Sequence, residues 1–185
     1  MLRQLLFWAT FGLLTSLPAQ VPDSSRALQV NSSISLPMSR QQILEHASDA
    51  WKVSFGREIG AVITAVDAEQ HAIHSEGHFN FRSDMLVGRE ETMGRVRYTV
   101  KIEARNGECR TSVGPFVHRG NHNGIRPGVD MGTVPVAGRP TGPTPGMSGR
   151  SAGKVMNEVR ELAFKKAQQL IRSFEGQLRI QGQDR

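Results

Sequence analysis

The stretch GRVRYTVKIEARNGECRTSVGPFVH, Gly94 to His118, decides the fold. Asn106-Gly107 lies between two strand-like runs, and Asn-Gly is the residue pair that best tolerates the positive φ angles of a two-residue hairpin turn. With that turn, Arg105 faces Glu108 and the register follows outward. Val96 then faces Val117, Tyr98 faces Pro115, Val100 faces Val113, Ile102 faces Thr111 and Ala104 faces Cys109, giving one largely apolar side. The other side pairs Arg95 with His118, Arg97 with Phe116, Thr99 with Gly114, Lys101 with Ser112 and Glu103 with Arg110. Opposite charges facing one another across strands support this pairing. A one-residue slip would mix the two sets, so the register is well specified.

Working outward, Leu28, Val30, Ser32, Ile34 and Leu36 alternate as in a strand with one buried face. Ser39-Arg40-Gln41-Gln42 is a capping box, flanked by Met38 and Ile43 at the positions of a hydrophobic staple, so a helix starts here. Ile43, Ala47, Ala50, Trp51, Ser54 and Phe55 recur at helical spacing, and Gly56 supplies a stop. Glu58 to Asp67 reads as a strand with apolar residues on both faces. A turn over Ala68 to His71 leads to Ala72–Phe81. In that strand Ile73, Ser75, Gly77, Phe79 and Phe81 share one face, and His74, Glu76, His78 and Asn80 share the other. The polar run Arg82 to Met93 connects to the hairpin.

Pro115 tests this topology. Counted from the turn, the Tyr98–Pro115 pair is not hydrogen-bonded, so the missing N–H points away from the hairpin partner. A strand on the far side, expected to be the first one, must stop pairing or bulge at Pro115.

Beyond the hairpin, residues 119–151 lose any hydrophobic period and are crowded with glycine and proline. So few apolar groups do not offset the entropy of ordering such a segment, which therefore reads as a flexible linker. A last helix over 152–176 carries Val155, Val159, Leu162, Ala163, Ala167, Leu170, Ile171 and Phe174 in one apolar stripe, with Ser151 as its cap and Gly176 as its end. Residues 177–185 then form a loose tail.

The first nineteen residues read as an export signal: Arg3, an apolar run from Leu5 to Leu17, and Pro18-Ala19 before the cut. A run of this length falls short of a bilayer span. Cys109 is the single cysteine of the 185 residues, so no internal disulfide forms, and none lies at the cut to carry a lipid. The expectation is a periplasmic or secreted protein that is not a lipoprotein, with residues 20–118 as the main body of one domain. The formal charge of +6 is spread among acidic residues along the elements, which describes a solvated surface better than a nucleic-acid groove.

Strand, helix, four strands and helix make an α+β domain with helices on one face of an antiparallel sheet. That order, with Trp51 and Phe55 late in the first helix, the Asp67-to-Gly77 stretch and the Arg95-to-Ala104 strand ending at Asn106-Gly107, resembles a family of exported bacterial proteins, domain of unknown function 4468. The resemblance covers Leu28 to His118 and the last helix. It implies a TATA-binding-protein-like (TBP-like) fold, a five-stranded curved antiparallel sheet with two helices on one face in the order β-α-β-β-β-β-α, and no catalytic residue. His71 departs from the family pattern, which has Gly before the next strand; a left-handed turn there tolerates His less well than Gly.

For chemistry, His74, Glu76 and His78 stand about 6.6 Å apart on one strand face, a spacing at which two imidazoles and a carboxylate converge on zinc. The G-x-S-x-G string at Gly149 to Gly153 follows the glycine- and proline-rich stretch and not a strand, so it makes no serine-nucleophile elbow, and the dinucleotide fingerprint and the phosphate-binding loop are missing from the sequence. TBP-like proteins grip DNA with an apolar sheet and aromatic wedges, whereas this sheet face is charged, so nucleic acid is not the expected partner. The reading is an exported, non-enzymatic domain that needs no cofactor. It binds a protein, a glycan or an envelope component through Arg97, Lys101 and Arg110 on its exposed sheet face. The alternative is a metal-dependent hydrolase built on His74, Glu76 and His78. No transmembrane segment remains after signal removal.

Overall fold

The computed structural model describes residues 26–86, 90–123, 127–140 and 142–183; the expected export signal lies outside these residues. The chain runs β1 (Val30–Ser35), α1 (Arg40–Val53), β2 (Val62–Asp67), β3 (Ala72–Phe81), β4 (Gly94–Arg105), β5 (Glu108–Gly120), β6 (Gly132–Thr133) and α2 (Gly149–Gln183). The five longer strands form one open antiparallel sheet in the order β1-β5-β4-β3-β2, and β6 adds to β5. This is the α+β arrangement expected, with α1 and α2 packed together on one face of the sheet.

The first helix begins where local chemistry predicts. The Ser39 hydroxyl accepts from the Gln42 backbone N–H while the Gln42 side chain caps back, closing the box that starts α1. Trp51 and Phe55 enter the core, and the indole N–H donates to the buried Ser75 hydroxyl at 2.9 Å. Phe55 meets Phe174 of α2 at 5.6 Å between ring centroids. Ile73, Ser75, Phe79 and Phe81 of β3 and Val96, Tyr98, Val100, Ile102 and Ala104 of β4 are all buried. His71 takes the left-handed conformation at φ 52°, in a turn that Asp67 braces by accepting the N–H groups of Glu69 and Gln70. The strand expected from Glu58 begins only at Val62, because Glu58 to Ala61 forms a turn through Gly60 at φ 63°. β2 is the outer edge of the sheet, with Val62 and Val66 exposed, so neither of its faces is fully inside.

The hairpin keeps its expected register only from the turn to Val100 and Val113. Beyond that point β5 carries one extra residue at Gly114-Pro115, so Tyr98 faces Phe116, Arg97 faces Val117, Val96 faces His118 and Arg95 faces Arg119. Gly114 adopts φ 122°, a conformation open to glycine, and the Thr99 hydroxyl bridges the bulge by donating to the Gly114 carbonyl at 2.7 Å. Because side chains alternate, this one-residue shift exchanges the faces of everything after it. Phe116 and His118, expected on the polar face, are buried in the core, and His118 packs edge-on against Phe81.

The outer edge of β5 behaves as Pro115 requires. Pairing with β1 ends at Val30 and Val113. The vacated edge is then taken by the glycine- and proline-rich segment. Val134 N–H donates to the Phe116 carbonyl, β6 pairs with Val117 and His118, and Met131 and Val134 are buried. Arg160 of α2 holds the same segment from above by donating to the carbonyls of Pro135 and Gly138. A linker inferred from composition is therefore, over residues 131–136, an attached part of the sheet.

The last helix also differs from expectation at both ends. Ser148 is its cap, accepting from the Ser151 N–H, and the helix runs through Gly176 to Gln183 without stopping. Leu178 lies one turn beyond Phe174 and is fully buried, so its burial offsets the roughly 1 kcal/mol that glycine costs inside a helix. Leu162, placed in the apolar stripe by spacing, is exposed.

Candidate functional site

The helices cover one face of the sheet and leave the other open. On the open face β3 contributes His74, Glu76, His78 and Asn80, and β4 contributes Arg95, Arg97, Thr99, Lys101 and Glu103. The first part of β5 adds Arg110 and Ser112. After the bulge, the same face receives Val117 and Arg119. Cross-strand rows therefore run Asn80, Arg95, Arg119 and His78, Arg97, Val117.

At this end of the face lies an open cleft of about 720 Å³. Four arginines line it: Arg82 just after β3, Arg95 and Arg97 on β4, and Arg119 on β5. Of these, Arg119 donates to Asp130 at 3.1 Å. Asp130 also accepts from the Gly120 N–H at 2.7 Å and lies 3.1 Å from His122 Nε2. Burial works against the Asp130 carboxylate, yet these donors hold it below the ordinary carboxylate range. Among the described residues Arg82, Arg95 and Arg97 have no ion-pair partner. His78, beside them, titrates below the usual imidazole value, through its burial and then the charges of Arg95 and Arg97.

The three binding residues expected from sequence do not act as one group. Arg97 belongs to the arginine cleft. Lys101 and Arg110 line a second hollow of about 540 Å³ with Asn31 and Ser33 of β1. Both of these cations are matched by carboxylates: Lys101 with Glu103 at 2.5 Å and Arg110 with Glu108 at 3.0 Å. Those pairs hold Glu103 and Glu108 below the ordinary carboxylate range. The uncommitted charge is at the Arg97 end. Arg82 and Arg119 were not legible as site residues, because Arg119 reaches this face only through the bulge. The signal was the Gly-Pro pair inside a long strand, a recurrent mark of irregular pairing.

His74, Glu76 and His78 do stand on one face, as the alternation requires. Among the described residues, however, no three His, Cys, Asp or Glu side chains are grouped so that they could hold a metal ion. His78 sits over Gly60, where a Cβ would lie 2.5 Å from its ring, and lines the arginine cleft; His74 and Glu76 line a separate hollow with Thr64 and Thr99.

The buried reactive groups face the core. Cys109 is buried on the helix side, and burial, then the Glu175 charge, pushes its thiol up to about 12. Such a thiol is inert as a nucleophile at neutral pH. Burial raises the Tyr98 hydroxyl above its ordinary value.

Solved structures similar to this chain include the following two. The first is a DUF4468 family protein from Bacteroides ovatus. It shares 14% identity at a TM-score of 0.49, over 85% of this chain and 92% of its own. The second is a TBP-like protein from Parabacteroides distasonis, at 10% identity and a TM-score of 0.45, over 80% of this chain and 97% of its own. No family model matches the sequence, and no curated protein does. Among the described residues, no helix is long and apolar enough to cross a membrane.

Proposed function

We propose that this protein is an exported, non-catalytic domain that binds a protein, a glycan or an envelope component through the open face of its sheet. The observation that carries the reading is the pair Arg95 and Arg97, which among the described residues have no ion-pair partner and stand side by side on a face that no described helix covers. Guanidinium groups left without counter-ions on a rigid strand are ready to meet acidic groups of a partner. The apolar run before Ala19 supports export.

Two measurements test this. The chain expressed with its own leader should be recovered outside the cytoplasm with Gln20 as its first residue; an intact N-terminus in the cytoplasm would remove the export part. The purified protein should bind an envelope fraction of its host, and reversing Arg95 and Arg97 to Glu should weaken that binding. Binding unchanged by the double reversal would sink the sheet-face reading.

A further inference from the structure

We propose that the cleft lined by Arg82, Arg95, Arg97 and Arg119 is an oxyanion site, and that it takes a ligand bearing phosphate or sulfate ester groups. The inference rests on the sheet-face reading and gives it a ligand class. Three observations carry it.

The first is register. The bulge at Gly114-Pro115 sets Arg95 directly opposite Arg119. Like charges in that position oppose folding, their Cβ atoms being only about 5 Å apart. Without the extra residue Arg95 would face His118, so the sheet acquires this repulsion only through the irregularity.

The second is the balance of charge. Four guanidinium groups line the cleft, and among the described residues Asp130 is the one acid paired with any of them, bound to Arg119 at 3.1 Å. The opposite end of the same face matches Lys101 and Arg110 with Glu103 and Glu108. Arg82, Arg95 and Arg97 are left for groups that are not part of the described chain.

The third is shape. A cleft of about 720 Å³ is of the size that holds a small ligand or a few units of a polymer. Each guanidinium offers a planar fork of donors, and several forks together suit a tetrahedral oxyanion with three free oxygens better than a single carboxylate with two. Asn80 and Asn121 on the rim add neutral donors and acceptors for hydroxyl groups next to such an ester.

Isothermal titration of the purified protein at low salt tests the site with inorganic pyrophosphate, sucrose octasulfate and plain sucrose. At least one of the two anions binds, sucrose does not, and the preferred anion assigns the ester as phosphate or sulfate. The double variant Arg95→Gln/Arg97→Gln weakens that binding about tenfold or more. Lys101→Gln/Arg110→Gln, at the charge-matched end, changes it by less than about twofold. Thermal unfolding of both variants verifies that each is folded. The proposal is overturned if neither anion binds, or if the two double variants weaken binding equally, as a diffuse charge effect would. Sheet-face binding to envelope material that persists while neither anion binds would remove this ligand class and leave the broader reading standing.

Discussion

Arg95 of β4 stands directly opposite Arg119 of β5, two cations in cross-strand register on the open face of the sheet. Among the described residues, only Arg119 of this pair has a counter-ion, Asp130, at 3.1 Å. Replacing Arg95 by Gln removes the repulsion and should raise stability by about 0.5 kcal/mol at low ionic strength. The gain should vanish in high salt, where exposed charges are screened. Urea denaturation at two salt concentrations checks this; a loss of stability on R95Q would mean that Arg95 holds the fold by packing.

Gly114 supplies the conformation that creates this pairing. Its φ of 122° disfavours any side chain, and a Cβ there would lie 2.5 Å from the Leu28 carbonyl oxygen. Gly114→Ala should therefore destabilise the protein by about 3 kcal/mol. An equilibrium unfolding curve that matches the parent protein would show that the bulge is not built as described.

Leu178 decides whether α2 continues past Gly176. It is 0% exposed, whereas Leu162 on the same helix is 39% exposed. Leu178→Ala should cost about 3 kcal/mol and Leu162→Ala less than about 1. Equal effects would return the last turns of α2 to the status of a loose tail.

His118 gives the fold a pH dependence. It is fully buried, neither ring nitrogen has a hydrogen-bond partner among the described residues, and burial, opposed by Asp130, lowers its pKa to about 4. The unfolded chain, with an imidazole near 6.5, binds this proton more readily than the folded one. Stability from this group is therefore complete above about pH 6.5 and is lost as pH falls towards 4, by at most about 3 kcal/mol. His118→Leu should flatten the stability curve across that window; an unchanged slope would show that the ring is solvated or paired.

Cys109 should be silent in the native protein. With 1% exposure and a thiol pushed up to about 12, it should react with a thiol reagent at pH 8 only after denaturant is added. Fast labelling of the folded chain would contradict its burial on the helix-covered side of β5.

The sequence by itself determined much of this molecule, and for local reasons. Asn106-Gly107 specified the turn, alternation put Ile73 and Val100 inside with His78 and Arg97 outside, and Ser39 with Gln42 started α1. Even the end of β1 pairing before Pro115 followed from one missing N–H. The tertiary structure decided what Gly114 does, because its conformation depends on the Leu28 carbonyl across the sheet and on the edge that Val134 fills. A strand has a period of two, so that single extra residue buried Phe116 and His118 and carried Arg119 to the open face. The hairpin was legible in its residues; the arginine cleft exists only once β5 is laid against its neighbours.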